Sequence, residues 1–286
     1  MWLSRCIVAG IGLALACGPL PAESEPPRRI VSLNLCADQI LIDLVSRDRI
    51  LALSHLAGDP KVSSIADRIG GIQLTRGEAE TVLRLDPDLV VAGEFSTPAT
   101  VSLLERMGRR VEKVPLASDI AGVRTLVLRL AKLVGEDARG TALVAEFDRR
   151  LATAAPAAGQ TRRPTALVYQ VNGLASGRSS LADAVMRAAG FDNLAARSQL
   201  GPGGQIALEA LVAAPPNLLV LTGPIDEYRT AVAANLRHPA LRHLMTSRPS
   251  LILPWRQWLC GTPHLATAVE KLAAERALLE TKVHRP

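Results

Sequence analysis

One short pattern occurs twice in this chain, 129 residues apart, and it constrains the fold more than any other feature. Glu80 is followed seven residues later by Pro87-Asp88-Leu89-Val90-Val91, and Glu209 seven residues later by Pro216-Asn217-Leu218-Leu219-Val220. In each copy a short helical stretch, Ala79 to Leu85 or Leu208 to Ala213, runs into a proline that cannot continue it. A strand rich in leucine and valine follows directly. Two related α/β halves each need such a unit once. The matched glutamates then form a candidate two-point attachment to another molecule, which suits a bilobed binding protein better than an enzyme.

The first 22 residues read as an export signal rather than as part of the fold. Arg5 supplies a positive start, Cys6 to Cys17 form an uncharged apolar run of 12, and Leu20-Pro21-Ala22 offers small-residue cleavage before Glu23. That run is too short to span a bilayer as a helix. The expected location is the periplasm, as a soluble protein beginning near Glu23. Ala14-Leu15-Ala16-Cys17 matches a lipoprotein cleavage box poorly, so lipid anchoring at Cys17 is the less favoured alternative. About 264 residues remain, room for two lobes of ordinary size. The expected division is a signal peptide at 1–22, an N-terminal lobe at 23–117, a bridging helix at 118–155 and a C-terminal lobe at 156–286.

The net charge of +6 is scattered in pairs such as Arg28-Arg29, Arg109-Arg110, Arg149-Arg150 and Arg162-Arg163. No basic stripe interleaved with aromatics exists, so nucleic acid is not an expected partner. In the first half, strands over Arg29–Leu33, Ile50–Leu53, Leu89–Ala92 and Val111–Val114 alternate with helices over Ala37–Val45 and Thr97–Met107. Such alternation predicts a mainly parallel sheet with helices on both faces. Ser118-Asp119 starts a helical stretch that resumes after Gly135 and lies where two lobes must be joined. The second half repeats the scheme: strand Thr165–Val171, helix Leu181–Ala189, helix Leu208–Ala213, strand Leu218–Leu221, strand Leu251–Leu253 and a closing helix Thr262–Leu279.

These elements, in this order and spacing, resemble the periplasmic binding proteins that deliver ferric siderophores, haem or cobalamin to ABC importers. The residues that carry the resemblance are Ile30-Val31-Ser32-Leu33, Gly70-Gly71, Glu80 with Pro87-Asp88-Leu89-Val90, and the helical bridge 118–152. Leu181-Ala182-Asp183 with Gly190 and Asn193, Glu209 with Pro216-Asn217, and Trp258 with Pro263 complete the set. The resemblance implies two α/β lobes joined by a single long helix, a ligand in the cleft between them, and one acidic residue per lobe meeting arginines of the permease. Glu80 and Glu209 occupy those positions. It also implies a monomer with no cofactor of its own, and the permease subunits of an importer and a metal-chelate ligand as partners. Where the family often has a proline and then Thr-Glu after the first strand, this chain has Leu35-Cys36-Ala37-Asp38-Gln39, so ligand identity does not transfer.

In parallel α/β sheets, ligands sit beyond the C-terminal strand ends, where loops converge. That rule nominates Asn34, Leu35 and Cys36 after the first strand, His55 after the second, Glu94 and Phe95 after the third, and Asn172, Trp255, Trp258 and Cys260 in the other lobe. Phe95, Trp255 and Trp258 offer flat faces for a macrocycle or catechol. Cys36 and Cys260 admit three states: soft-metal ligands together with His264, a disulfide tying the lobes, or two unrelated small buried residues. Binding of a bare transition-metal cation is the alternative function, with His55, Asp59, Glu94 and His264 as its ligand set. Catalysis finds no support: Ser176 lies one place too late for a nucleophile elbow, and no P-loop, dinucleotide fingerprint or HExxH occurs.

Overall fold

The computed structural model describes residues 25–157, 163–198, 200–223, 230 and 233–283. The expected signal segment, with Cys17, lies outside the described residues. The first lobe is built from β1 (Ile30–Ser32), α1 (Leu35–Leu44), β2 (Ile50–Ser54), β3 (Gln73–Thr75), α2 (Ala79–Arg84), β4 (Leu89–Gly93), α3 (Pro98–Arg106) and β5 (Val111–Val114). Its strands are parallel in the order β3-β2-β1-β4-β5. Helices α4 (Ile120–Val134) and α5 (Asp137–Ala154) lead to the second lobe. There, β6 (Thr165–Val168), β7 (Leu174–Ala175), α6 (Leu181–Ala188), β8 (Asp192–Asn193), α7 (Leu194–Arg197) and β9 (Gly204–Gln205) come first. They are followed by α8 (Leu208–Ala213), β10 (Leu218–Leu221), α9 (Ala234–Arg237), α10 (Pro239–Ser247), β11 (Ser250–Ile252) and α11 (Leu265–Val283).

The second sheet, also parallel, runs β11-β10-β6-β8. Taken from its second strand across, each lobe follows one plan, β2-β1-β4-β5 and β8-β6-β10-β11, and the first lobe adds β3 at its edge. The twice-written pattern therefore falls on equivalent elements, α2–β4 and α8–β10. Its Asp or Asn has a structural task in both. Asp88 accepts hydrogen bonds from the backbone N–H groups of Arg28 (2.7 Å) and Arg29 (3.0 Å), just ahead of β1. Asn217 Oδ1 accepts from the N–H of Thr165 (2.8 Å) at the start of β6. This residue ties the opening of β4 to that of β1 in the first lobe and the opening of β10 to that of β6 in the second.

The strands alternate between two faces, as the pleat requires. Ile30, Leu89 and Val91 point one way, with Ala166, Val168, Leu218 and Val220 from the other sheet, into a single apolar core that also takes in α1, α4, α5, α6 and α11. Val31 and Val90 point outward to a smaller cluster in the first lobe, and Leu167, Leu219 and Leu221 to one in the second. The two lobes thus share their principal core.

The connection expected as a single long helix is instead a helical hairpin. Gly135 sits at φ 71°, the left-handed conformation that ends α4 and that a residue with a Cβ resists. Helix α5 then runs back along α4, with Arg124 Nε 2.8 Å from Asp148 Oδ1 across the pair. Arg49 holds the turn to the first lobe by donating to the carbonyl of Val134 (2.5 Å) and to Glu136 (2.6 Å). Arg150 pairs bidentately with Glu270 of α11 (2.7 and 2.8 Å), holding α5 to the second lobe. The sequence reading also passed over β3 and β8, two short strands without a hydrophobic run.

The repeated pattern separates by chemistry. Asp88→Ala and Asn217→Ala should each lower stability by about 1 kcal/mol, because each leaves backbone donors without their acceptor. Alanine at the exposed Glu80 or Glu209 should change it by less than about 0.5 kcal/mol. Urea denaturation of the four variants checks both halves of that expectation.

Candidate functional site

Every strand of the first sheet delivers residues to one cavity of about 410 Å³ at its C-terminal edge. Leu33, Asn34 and Cys36 follow β1, His55 and Leu56 follow β2, and Arg76 follows β3. Phe95 and Ser96 follow β4, and Leu116 follows β5. The second lobe adds Leu259 and Cys260. Asn34 is fixed here by a local task, since its Oδ1 accepts from the Ala37 N–H (2.9 Å) and caps α1. Ser96 Oγ accepts from the N–H of Gly93 (3.0 Å) and holds the turn that presents Phe95.

The rim is unusually apolar for a solvent-facing surface. Phe95 is 83% exposed, Leu116 49%, Leu56 39% and Leu259 38%, and all four border this cavity. The basic side chains of the lining are the Arg76 guanidinium and the His55 imidazole, and no carboxylate lines it among the described residues. The arrangement can receive a large, partly apolar molecule and offer it one guanidinium and one imidazole.

Of the ten expected cleft residues, Asn34, Leu35, Cys36, His55, Phe95 and Cys260 line this cavity. Glu94 borders a recess beside it and accepts from the Leu116 N–H (3.4 Å). The other three lie elsewhere. Trp258 is only 5% exposed and belongs to the shared core, Trp255 packs half-buried against that core, and Asn172 is exposed on a turn where its N–H donates to Asn235. Arg76, Leu56, Leu116 and Leu259 were missed. Arg76 follows the short strand β3 that the hydrophobic pattern does not mark.

Cys36 and Cys260 are joined in a disulfide across 224 residues. The metal-ligand role considered for them is therefore corrected, because a disulfide sulfur carries no thiolate charge to offer a metal. His264 does not accompany them. Its Nε2 stands 3.3 Å from Asp43 Oδ2, and it borders a separate crevice of about 380 Å³ with Ser63, Ser64 and Arg256. Burial pushes the Asp43 carboxyl up, but hydrogen bonds and charge from His264 and Arg68 outweigh it and hold it below the ordinary range. The set His55, Asp59, Glu94 and His264 does not assemble either: among the described residues no group of three or more His, Cys, Asp or Glu is placed to hold a metal ion.

Glu80 and Glu209 occupy the second position of α2 and of α8. Both are exposed, and neither makes an ion pair among the described residues.

The chain belongs to the periplasmic binding protein family, whose model matches residues 30–248. It is 30% identical over 221 residues to a cobalamin-binding protein of Halobacterium salinarum. That match takes in 76% of this chain and 59% of the relative, so the chain spans less than two thirds of the relative's length. Among solved structures it resembles a possible iron-binding, periplasmic solute-binding protein of Staphylococcus epidermidis, with a TM-score of 0.70, 16% identity and 88% and 99% of the two chains covered. It also resembles a periplasmic heme-binding protein of Pseudomonas aeruginosa, with a TM-score of 0.68, 24% identity and 87% and 92% covered. At these identities the structures establish the two-lobed α/β fold and no more.

Behind the cavity floor lies one buried acid. Asp38 is fully inaccessible, and its Oδ2 accepts from the N–H of Ser54 (3.2 Å), a floor residue. Burial raises its pKa to about 8, against the opposing hydroxyls of Ser32 and Ser54 and the Ser54 N–H. In the unfolded chain this carboxyl loses its proton near pH 4, so between about pH 4 and pH 8 the folded state holds a proton that the unfolded state has lost. Its contribution to stability is thus fully present below pH 4 and is lost as pH rises through 8. Asp38→Asn removes the titration. Urea denaturation at pH 5 and pH 8 should find the variant gaining on the native protein at the higher pH.

Proposed function

We propose that this member of the periplasmic binding protein family captures a metal–organic complex, of the ferric siderophore, haem or cobalamin class, and delivers it to an ABC importer. The observation that carries this reading is the cavity itself. Its volume lies in the range of small-molecule sites, its rim exposes Phe95, Leu56, Leu116 and Leu259, and the Arg76 guanidinium and the His55 imidazole are its basic lining. A bare cation needs several converging carboxylates or imidazoles. Apolar walls with a cationic edge suit a chelate whose organic shell hides the metal and carries negative or polar groups outward. The cobalamin-binding relative and the iron- and heme-binding neighbours are in keeping with that class.

In this reading the protein works in the periplasm as a monomer, after removal of a signal peptide near residue 22. Glu80 and Glu209 dock onto basic residues of the permease subunits. Each is exposed near the start of a short helix, and each short helix is braced by the strand connections of its own lobe. Two charges on one stiff body orient a partner more than they hold it, which suits a delivery step that must later release. Energy for transport comes from the importer's own nucleotide-binding machinery.

Titration of the purified exported protein with cyanocobalamin, haemin and ferrichrome, followed by tryptophan quenching, tests the ligand class. Saturable binding of one of them at submicromolar concentration is expected, weakened at least ten-fold by Arg76→Ala, about 1.4 kcal/mol. Binding of Zn2+ or Mn2+ alone, with none of the three chelates, would overturn the class. Charge reversal at both Glu80 and Glu209 should abolish uptake in cells while the titration curve stays unchanged. Uptake surviving the double reversal removes the docking role.

A further inference from the structure

The two lobes meet along one face of α1. Cys36, Gln39 and Asp43 recur at helical spacing on that face, opposite Cys260, Thr262 and His264, which alternate along the loop between β11 and α11. The rungs are the disulfide Cys36–Cys260, a hydrogen bond from Thr262 Oγ1 to Gln39 Oε1 (3.2 Å) and the Asp43–His264 pair (3.3 Å). Gln39 and Thr262 are buried, at 2% and 0% exposure. Between the first two rungs the backbone at Gly261 lies so close to Ala117 that a Cβ there would come within 2.6 Å of the Ala117 carbonyl oxygen. Upstream, the carbonyl of Arg256 accepts from Ser64 Oγ, and Arg256 Nη1 donates to the carbonyl of Pro60 (3.2 Å).

This seam coincides with a feature of the cavity. Among the described residues, Leu259 and Cys260 are all that the second lobe contributes to its lining. Both belong to the segment stitched to α1, and the disulfide itself forms part of the wall. We propose that the Cys36–Cys260 bond, aided by the Gln39–Thr262 and Asp43–His264 rungs, attaches the 258–264 segment to the first lobe and so holds its Leu259–Cys260 wall in the binding position before any ligand arrives. The proposal rests on the ligand-capture reading above and assigns Cys36, Gln39, Asp43, Cys260, Gly261, Thr262 and His264 as positioning residues for it. Reduction of the bond by two equivalents of an external thiol, which pass two electrons and two protons to the sulfurs and are themselves joined as a disulfide, leaves two thiols. The segment then keeps only its weaker rungs, and the Leu259 wall loosens while the sheets stay folded.

Amide hydrogen exchange on the ligand-free protein, compared with a Cys36→Ser, Cys260→Ser double variant, tests this directly. Over the first minutes, residues 258–264 should exchange at least ten-fold faster in the variant, while β1, β4 and β10 stay protected. The same variant should bind whichever of cyanocobalamin, haemin or ferrichrome the native protein takes at least ten-fold more weakly. Unchanged exchange at 258–264, or unchanged binding once that segment has loosened, overturns the proposal. So does loss of protection in β1 and β10 at the same rate, or failure of the variant to fold, since either makes the bond a staple of the whole fold. Gly261→Ala keeps the disulfide and crowds the seam against Ala117. It should also weaken binding while β1 and β10 keep their exchange protection, and native affinity in that variant is a second way to overturn the idea. The exchange comparison needs no ligand, so a native protein that binds none of the three chelates removes the proposed function while the seam is still decided by exchange alone.

Discussion

The packing of α1 against the 260–264 segment is the constraint from which the rest of this molecule follows. One helix, capped by Asn34 at the C-terminal edge of the first sheet, presents its solvent end to the cavity and one face to the second lobe. Because Cys36, Gln39 and Asp43 share that face, the second lobe has one register in which Cys260, Thr262 and His264 all find partners. A slip along the helix forfeits the covalent bond and strands two buried polar side chains, Gln39 and Thr262. The disulfide closes a loop spanning 224 residues, which in a chain-entropy account constrains the unfolded state by up to about 5 kcal/mol. The apolar core continues across the same junction, through α4, Trp258, Leu265 and α11. Separate domain cores leave hinges; a shared one opposes them.

The doubling of the fold was legible because its cause is local. A proline must end the helix before it, a polar residue after the proline must find backbone donors, and a run of leucine and valine must be buried in a parallel strand. All three demands act within about a dozen residues, so the copies at 80–91 and 209–220 carry them in full view. The helices α2 and α8 and the strands β4 and β10 lie where that pattern puts them. Elements whose cause is not local were hidden. Strand β3 is an edge strand of three residues, two of them exposed, and exists because β2 offers it a ladder. The hairpin of α4 and α5 turns on the left-handed geometry of Gly135, yet apolar spacing continues on both sides of it and reads as one helix until the Arg124–Asp148 pairing is seen.

The site shows the same division. Loops after strands of evident hydrophobic pattern are legible, and the nominated Asn34, Cys36, His55 and Phe95 come together in one cavity. Arg76 was not, since its strand was not. Trp258 was assigned to the cleft on the strength of its aromatic ring, whereas burial at the lobe junction used that ring as core. Nothing in the spacing of Cys36 and Cys260 distinguishes a thiolate pair from a disulfide. Only the approach of α1 to the last loop decides it, and that approach is a property of the whole fold. Once the sulfurs are bonded, the soft donors that favoured a metal ion are gone, and the cavity is left with leucines, one phenylalanine, the amide of Asn34, several serine and threonine hydroxyls, one imidazole and one guanidinium as its chemistry.

In the proposed function, a preformed cavity and a stiff junction bear on affinity and delivery together. Ordering a loop or closing two lobes on a ligand spends part of the interaction free energy, so a wall already bonded in place lets shallow apolar contacts count more fully toward binding. The same stiffness fixes the separation of Glu80 and Glu209, because α2 and α8 are braced to sheets whose inner faces share one core. A permease that reads two carboxylates at a set spacing gains the second contact almost free of further entropy once the first is made. Were the lobes to swing freely, that gain would shrink with every accessible spacing. The arrangement that fits a bulky, partly apolar ligand and the one that fits two-point docking are thus the same arrangement, and both trace to the face of α1 that meets the loop before α11.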